Sequence, residues 1–166
     1  DGVSHYNFYK EIKRLLEGNK LDILEFSFMD FCIYQNERKS KEEKKFWLNQ
    51  FNKGVPEFKL PYDNPEYEGS MSIEEFVLLT IDEKRTDVIK EFCRKNRVTL
   101  FSFINSVLYI MLNKISGKNY IAVGSVVSGR ENDPKLLPLM GMFINTIPLI
   151  ISIDEDSTFD VFCKEV

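Results

Sequence analysis

The sequence predicts an α/β protein in which helices pack on one β-sheet. Residues 120–127 form a short run of β-branched side chains, and residues 142–153 form a second, Ile-rich run, so each predicts a strand. Between residues 99 and 117 the apolar side chains recur at a spacing of about 3.6 residues, which is typical of a buried helix. The predicted order from residue 73 onwards is strand, helix, helix, strand, strand, helix, which favours a layered sandwich.

Composition places the chain among globular proteins with a packed core. Of its 166 residues 43% are hydrophobic, and 14 are Phe. The net charge is −4 and the charges are interspersed, so no basic surface is available for nucleic acid. No apolar run approaches the roughly 20 residues of a membrane span, and no signal peptide opens the chain. We therefore expect a cytoplasmic protein that binds neither nucleic acid nor a membrane.

The three cysteines carry no sign of a metal site or a disulfide. Cys32, Cys93 and Cys163 are far apart, odd in number and without metal-ligand spacing. Each lies among apolar residues in a helix-like pattern, so we interpret all three as small buried side chains of a cytosolic protein.

The first part of the chain predicts three helices and a linker. Ser4 is a candidate N-cap for a helix that ends at Gly18. Residues 21–36 carry closely spaced aromatic side chains, which we interpret as the core-facing side of a second helix. Ser40 begins a capping-box pattern that predicts the third helix. Residues 54–72 contain three prolines and two glycines and therefore predict a linker.

The rest of the chain alternates between strands and helices. Residues 75–81 alternate weakly in polarity and predict a strand, after which Asp82 caps a helix. Thr99 caps the long apolar helix that precedes the two strands. After the second strand, Asp156 or Ser157 is expected to open the last helix.

Three polar residues in the strands and their connection are candidates for a special role. Asn145 and Thr146 interrupt the second strand, where a buried polar group without a partner would cost roughly 1–3 kcal/mol. Arg130 follows the first strand directly after a glycine. It can pair with a carboxylate of the fold or with a substrate, and we favour the carboxylate of the fold.

Two stretches around these residues resemble a known family. VGSVVSGR, residues 123–130, and LMGMFINTIPL, residues 139–149, closely resemble two late motifs of the condensation domains of nonribosomal peptide synthetases. The usual forms of these motifs are V-x-G-T-P-V-A-G-R and L-I-G-x-F-V-N-T-L-P-L-R. This chain departs from them at Val126, where the family usually has Pro, and at Ile150, where it often has Arg. The matching residues are Gly124, Gly129, Arg130, Gly141, Phe143, Asn145, Thr146, Pro148 and Leu149.

Earlier stretches fit the same family. DGVSHYNFYKEI at residues 1–12 resembles the end of the H-H-x-x-x-D-G motif and the helix after it, so both histidines of that motif are expected upstream of residue 1. The lone His5 follows Asp1 by four positions, whereas the catalytic histidine of the family precedes the Asp. SFMDFCIYQ at residues 27–35 and LPYDNP at residues 60–65 resemble two further family segments.

The resemblance implies a fold and a division of the chain. Condensation domains share the two-lobed sandwich of chloramphenicol acetyltransferase, with helices packed on mixed sheet and a tunnel between the lobes. By this resemblance, residues 1–53 form the end of the first lobe, residues 54–72 the crossover, and residues 73–166 the first part of the second lobe. The chain is then expected to be a fragment of the domain and inactive by itself.

The resemblance also implies a chemistry and its site. A condensation domain joins a donor acyl or peptidyl thioester to an acceptor aminoacyl thioester through an amide bond, in the biosynthesis of antibiotics and other secondary metabolites. The implied partners are carrier domains, whose 4′-phosphopantetheine holds the substrates, and a neighbouring adenylation domain, while the chain itself is expected to bind no cofactor and no metal.

The site residues implied by the resemblance fall into two groups. Asp1 corresponds to the motif's Asp, which holds the loop beside an Arg, and Gly2 permits close approach of backbone to the developing oxyanion. Arg130, Asn145 and Thr146 are candidates for lining the substrate tunnel. Two alternatives stay open, namely an epimerisation or acyltransferase domain of the same fold and a non-catalytic module that docks carrier proteins.

Overall fold

The computed structural model describes residues 1–38, 40–57, 59–61, 76–130 and 133–166. Within these residues the chain forms six α-helices, one short 3-10 helix and two strands. The elements in chain order are α1 (Gly2–Leu16), α2 (Phe28–Glu37), α3 (Lys41–Gln50), α4 (Glu83–Asn96), α5 (Leu100–Ser116), β1 (Tyr120–Ser128), the 3-10 helix (Pro134–Leu136), β2 (Ile144–Ser152) and α6 (Phe159–Glu165).

The two predicted strands form and pair with each other. β1 and β2 are hydrogen-bonded neighbours in a two-stranded sheet. The N–H of Gly129 donates to the carbonyl of Phe143 at 3.0 Å, and the N–H of Ile153 donates to the carbonyl of Asn119 at 2.7 Å. The end of β1 thus pairs with the start of β2, and the end of β2 pairs with the start of β1. This is the arrangement of an antiparallel pair.

The described residues group into two compact units. Unit 1 contains residues 1–54 and 123–149, and unit 2 contains residues 55–122 and 150–166. The predicted division into lobes at residues 54–72 remains a prediction about the complete domain. In the structure, residues 123–149 belong to the same unit as residues 1–54. Leu136, Leu139 and Phe143 form a core cluster there, against which Phe26, Phe28 and Phe31 pack.

Most of the predicted helix caps are confirmed. The side chain of Ser40 accepts a hydrogen bond from the N–H of Glu43 at 3.1 Å, and Asp82 accepts one from Arg85 at 2.8 Å. Thr99 caps α5 by accepting from the N–H of Ser102 at 3.0 Å. In each case a short polar side chain satisfies a backbone donor that the helix itself leaves unpaired.

Two predicted caps are wrong by a few positions. The N-cap of α1 is Asp1, whose carboxylate accepts from the N–H of Ser4, so Ser4 lies inside the first turn of the helix. The N-cap position of α6 is occupied by Thr158, not by Asp156 or Ser157. Several residues with capping side chains stand close together at both helix starts, and the sequence alone does not rank them.

The strand predicted at residues 75–81 is not formed in the part that the structure describes. Residues 76–81 have no regular secondary structure, and the side chains of Phe76, Val77 and Leu78 are more than 90% exposed. A strand needs the backbone hydrogen bonds of a neighbour, and no described residue supplies them here. Glu75 and residues 62–72 of the predicted linker lie outside the described residues.

The core of unit 2 lies among α4, α5 and α6. The rings of Phe92, Phe103 and Phe159 meet pairwise with centroids 5.5 to 5.6 Å apart. Tyr109 and Cys163 are buried beside them, and burial raises the pKa of both side chains. Apolar helix faces that cover one another in this way are the main stabilising interaction of short helices.

The cysteine and membrane predictions can be compared with the described residues. Cys93 and Cys163 are buried and free, as predicted, whereas Cys32 is free but only half-buried. No group of His, Cys, Asp or Glu among these residues could hold a metal ion. No single described helix is long and apolar enough to cross a bilayer, although α4 and α5 together, bent by 104°, reach that length and composition.

Candidate functional site

Arg130 is the most buried charged residue that the structure describes, and unit 1 is built around it. It follows β1 directly after Gly129, and only 2% of its surface is exposed. Its Nη2 lies 3.2 Å from both carboxylate oxygens of Asp1, and its Nε lies 3.4 Å from Oδ2. A buried charge is tolerated only when an opposite charge and hydrogen bonds compensate its lost hydration.

The guanidinium of Arg130 also donates hydrogen bonds to backbone carbonyls. Nη1 donates to the carbonyl oxygens of Leu136 at 2.5 Å and Leu139 at 2.8 Å, and Nη2 lies 3.4 Å from the carbonyl oxygen of Gly141. Leu136 ends the 3-10 helix and its carbonyl also accepts from the N–H of Leu139 at 3.3 Å, whereas Leu139 and Gly141 lie between that helix and β2. Arg has five donors in a fixed plane, and it can therefore bind a carboxylate and a curved backbone segment at once.

Asp1 connects this arginine to the beginning of α1. Its Oδ1 accepts hydrogen bonds from the backbone N–H and the hydroxyl of Ser4, both at 2.8 Å, and its Oδ2 accepts from the backbone N–H of Phe143 at 3.2 Å. A carboxylate at a helix N-terminus is favoured by the helix dipole as well as by these donors. One side chain therefore joins α1, the arginine and the residue that leads into β2.

Ser4 joins the same residues through its side-chain oxygen. Besides Asp1, Oγ lies 2.9 Å from Nη2 of Arg130, 3.0 Å from the backbone nitrogen of Gly141 and 2.8 Å from the carbonyl oxygen of Gly141. The sequence indicates only a capping role for Ser4. The available signal was its place three residues after Asp1, because a side chain at that position lies within reach of the N-cap residue.

An aromatic layer packs against the guanidinium. The ring of Phe143 lies 3.9 Å from the guanidinium carbon of Arg130, and the rings of Phe28 and Phe31 lie 5.0 and 4.8 Å from that of Phe143. A planar cation over an aromatic face is attracted by the ring's quadrupole, and more strongly when both are desolvated. Phe143 is thus held between the charged group and the apolar face of α2.

Two glycines of the site are required by packing. A Cβ added at Gly141 would lie 2.3 Å from the ring of Phe28, and one added at Gly129 would lie 2.7 Å from the carbonyl oxygen of Phe143. Both distances are far below van der Waals contact, and the second would strike backbone. Neither position therefore has room for a side chain. Gly141 is limited by the ring of Phe28 on α2, and Gly129 by the backbone of Phe143.

Comparison with known proteins identifies the family. The model of the family described as the condensation domain matches residues 1–166. The chain belongs to the condensation-domain family. Surfactin synthase subunit 2 from Bacillus subtilis (strain 168) is 30% identical over 164 residues, which are 96% of this chain and 4% of that protein. Tyrocidine synthase 3 from Brevibacillus parabrevis is 28% identical over 170 residues, covering 100% of this chain and 3% of that protein.

Two solved structures share the fold of this chain. A holo four-domain nonribosomal peptide synthetase, solved with AMP and glycine, superposes with a TM-score of 0.80 at 23% identity, over 99% of this chain and 13% of that chain. The X-domain from teicoplanin biosynthesis superposes with a TM-score of 0.78 at 19% identity, over 99% of this chain and 40% of that chain. The predicted α/β fold of the chloramphenicol acetyltransferase type is confirmed.

The predicted site residues of this condensation-domain chain occupy different environments. Asp1 and Arg130 come together, so the carboxylate that Arg130 needs belongs to the fold. Asn145 and Thr146 lie exposed on β2, where the N–H of Thr146 donates to the side chain of Asn145 at 2.8 Å, and no hydrogen bond connects them to Arg130. Their exposure removes the expected cost of burying an unpaired polar group. His5 is an exposed residue of α1.

Gly2 stands at the open end of α1. It is exposed, and a Cβ at this position would meet no atom of the described chain within 4 Å. The first hydrogen bond within the helix runs from the N–H of His5 to the carbonyl of Asp1, so it leaves out the N–H groups of Gly2 and Val3. Neither group makes a hydrogen bond to any residue that the structure describes. Within the described chain, the helix therefore presents two N–H donors without a partner and its positive dipole end.

A cavity of about 540 Å³ opens between α2 and the segment after β1, where Phe31 of α2 lines it together with Gly129 and Leu136. The exposed side chains of Tyr34 and Gln35 line the same cavity. Asp30 also lines the cavity, and the N–H and hydroxyl of Ser27 lower the pKa of that carboxyl group. Those hydrogen bonds form the cap of α2, so Asp30 has a structural task there.

Proposed function

We propose that this chain is part of a condensation domain that forms an amide bond between two carrier-bound substrates. The observation that supports this most strongly is the beginning of α1. There the N–H groups of Gly2 and Val3 bind no described residue, and Asp1 is fixed by the buried Arg130. Membership of the condensation-domain family and similarity to surfactin and tyrocidine synthases support the same reaction. The chain covers only a few per cent of those relatives, so the reaction belongs to the larger protein.

The reaction replaces a thioester by an amide. The amine nitrogen of the acceptor aminoacyl group attacks the thioester carbonyl carbon of the donor, and the carbonyl oxygen becomes an oxyanion in a tetrahedral intermediate. The C–N bond forms, the C–S bond breaks, and the proton lost by the amine balances the thiol that leaves. Donors that are already oriented toward the oxyanion lower the barrier without reorganisation during the reaction.

Gly2 supplies the room for that oxyanion. Its missing side chain leaves open space at the helix end, so a thioester carbonyl can approach the N–H groups of Gly2 and Val3. The carboxylate of Asp1 lies close to these N–H groups, and without a partner its negative charge would repel the oxyanion. Arg130 offsets that charge with two hydrogen bonds at 3.2 Å, so the helix end keeps its attraction for negative charge.

In this proposal, partner domains deliver the two substrates. Donor and acceptor are held as thioesters on the 4′-phosphopantetheine of carrier domains, and an adenylation domain next to the condensation domain loads one of them. Asn145 and Thr146, which are exposed on β2, are our candidates for lining the tunnel through which the substrate arms pass. The cytoplasmic location remains a prediction from the sequence.

The test is an amide-forming assay with the full-length protein. A donor thioester on one carrier and an aminoacyl thioester on a second carrier are mixed with it, and the acceptor carrier is analysed by mass spectrometry. We expect the acceptor to gain the donor's acyl group. Hydrolysed donor without amide would overturn the proposal, as would exchange of the donor's α-hydrogen for deuterium alone, which indicates epimerisation. Carrier binding without any chemistry would indicate a docking module.

A further inference from the structure

The hydroxyl of Ser4 has more partners than a capping serine needs. Its Oγ lies within 3.0 Å of four polar atoms, which are Oδ1 of Asp1, Nη2 of Arg130, and both the nitrogen and the carbonyl oxygen of Gly141. Gly141 is 137 positions away in the chain. Ser4 is therefore a point where the first turn of α1 meets the segment that leads into β2.

The chemistry of a hydroxyl determines how these four contacts are used. An oxygen of this kind has one proton to donate and two lone pairs that accept. The N–H groups of Arg130 and Gly141 occupy both lone pairs, so the single proton goes either to Asp1 or to the carbonyl oxygen of Gly141, each 2.8 Å away. The charged carboxylate is the stronger acceptor. Every hydrogen-bonding position of Ser4 is thus filled, and its direction is fixed.

We propose that Ser4 is a positioning residue for the reaction, and this inference depends on the proposed amide-forming function. By tying Asp1 and Arg130 to Gly141, the hydroxyl fixes the first turn of α1 and therefore the direction of the free N–H groups at Gly2 and Val3. Ser4 does not touch the substrate. A small displacement of oriented donors costs much of their effect, because the oxyanion must lie close to them in the transition state.

The role differs from capping, and the chain offers a matched comparison. The capping hydrogen bond of α1 runs from the backbone N–H of Ser4 to Asp1, so it survives replacement of Ser4 by alanine. Ser102 holds the same position in the first turn of α5, where its hydroxyl lies 3.1 Å from the side chain of the cap residue Thr99. Unlike Ser4, its Oγ has no partner elsewhere in the described chain.

The experiment compares Ser4→Ala, Ser4→Thr and Ser102→Ala in the full-length protein by steady-state kinetics of amide formation. For Ser4→Ala we expect kcat to fall by about tenfold or more, while KM for the acceptor carrier stays within about twofold, because orientation is lost but not binding. Ser4→Thr keeps a hydroxyl and should restore kcat to within about threefold. Ser102→Ala should remain within about twofold of the unsubstituted protein, because it lies in unit 2 and shares no partner with the site.

The outcomes separate this inference from the function on which it depends. If the unsubstituted protein forms no amide, the proposed function fails and the role of Ser4 fails with it. If it forms amide and Ser4→Ala retains its kcat, only the role of Ser4 is overturned. Equal losses in Ser4→Ala and Ser102→Ala, or a loss in Ser4→Ala that Ser4→Thr does not restore, would also overturn it, since both indicate general destabilisation.

Discussion

Asp1 and Arg130 form a buried ion pair across 129 positions of the chain, with Nη2 of the arginine 3.2 Å from each carboxylate oxygen and the two side chains 3% and 1% exposed. Because neither partner can return to water without unfolding the surrounding segment, the pair fixes where α1 begins relative to the loop before β2. Removing one partner of such a pair leaves an uncompensated buried charge, which costs about 3–5 kcal/mol.

Arg130→Lys is expected to loosen the loop before β2. Lysine has a single nitrogen, which cannot reach Asp1 and the carbonyls of Leu136 and Leu139 together, and each buried carbonyl left without a donor costs about 1–3 kcal/mol. Hydrogen exchange of residues 139–143 in the full-length protein should accelerate accordingly. Arg85→Lys is the control, since Arg85 is 80% exposed and its pair with Asp82 is worth under about 1 kcal/mol. Unchanged exchange in Arg130→Lys would show that the guanidinium is not needed there.

Gly141→Ala is expected to destabilise unit 1 by overpacking. The added Cβ would lie 2.3 Å from the ring of Phe28, and forcing such a contact into a packed core costs about 1–3 kcal/mol. The matched test repeats the substitution in a Phe28→Ala background, where the obstructing ring is absent, and compares hydrogen exchange of residues 139–143 in the four proteins. The cost of Gly141→Ala should be smaller in that background. Equal costs in both backgrounds would mean that Phe28 is not the obstacle.

The caps and the long-range contacts were predictable to different degrees, for a physical reason. Ser40, Asp82 and Thr99 were identified as caps because a cap depends on a side chain and a backbone donor three residues away. The strand predicted at residues 75–81 is not formed in its described part, residues 76–81, because a strand depends on a neighbour that its own sequence does not specify. Local sequence patterns were therefore sufficient to predict these helix caps, but they were not sufficient to predict a strand.

The site was predictable only in part. The resemblance to the family pointed to Asp1 beside an arginine, and the structure brings Arg130 to that carboxylate. It did not point to Ser4, because the four contacts of its hydroxyl combine residues from three distant stretches of the chain. The polarity of Asn145 and Thr146 suggested buried partners, but both are exposed, so polarity alone did not reveal their environment.

The cap of α2 is expected to depend on pH. The N–H and hydroxyl of Ser27 lower the pKa of Asp30 below its unfolded value of about 3.9, so the stabilisation is complete above that value and is lost as the pH falls through the folded pKa. Asp30→Ala should therefore speed hydrogen exchange of α2 near neutral pH, and the difference from the unsubstituted protein should narrow in acid. Asn36→Ala, near the other end of α2, is the control and should show no such narrowing, because an amide side chain does not titrate. A difference that is constant with pH would contradict the role of the Asp30 carboxylate.

Gly2→Ala is expected to impair the reaction without disturbing the fold. Its Cβ would meet no atom of the described chain within 4 Å, and alanine is well tolerated in the first turn of a helix. The methyl group would occupy the space that the proposed thioester carbonyl needs, so kcat for amide formation should fall by about tenfold or more. Hydrogen exchange of α1 serves as the control and should be unchanged. Full turnover in this variant would exclude close approach of the substrate to the helix end.

The most direct test of the link between the buried ion pair and the chemistry is the single-turnover rate of amide formation by the full-length Asp1→Asn protein. Asparagine keeps the size of the side chain but removes the charge that Arg130 requires, so the first turn of α1 should lose its fixed position. A misplacement of about 1 Å can cost about 100-fold in rate, and we predict a loss of that order with unchanged affinity for the acceptor carrier. A rate within about threefold of the unsubstituted protein would contradict the proposal that the Asp1–Arg130 pair positions the helix end for catalysis.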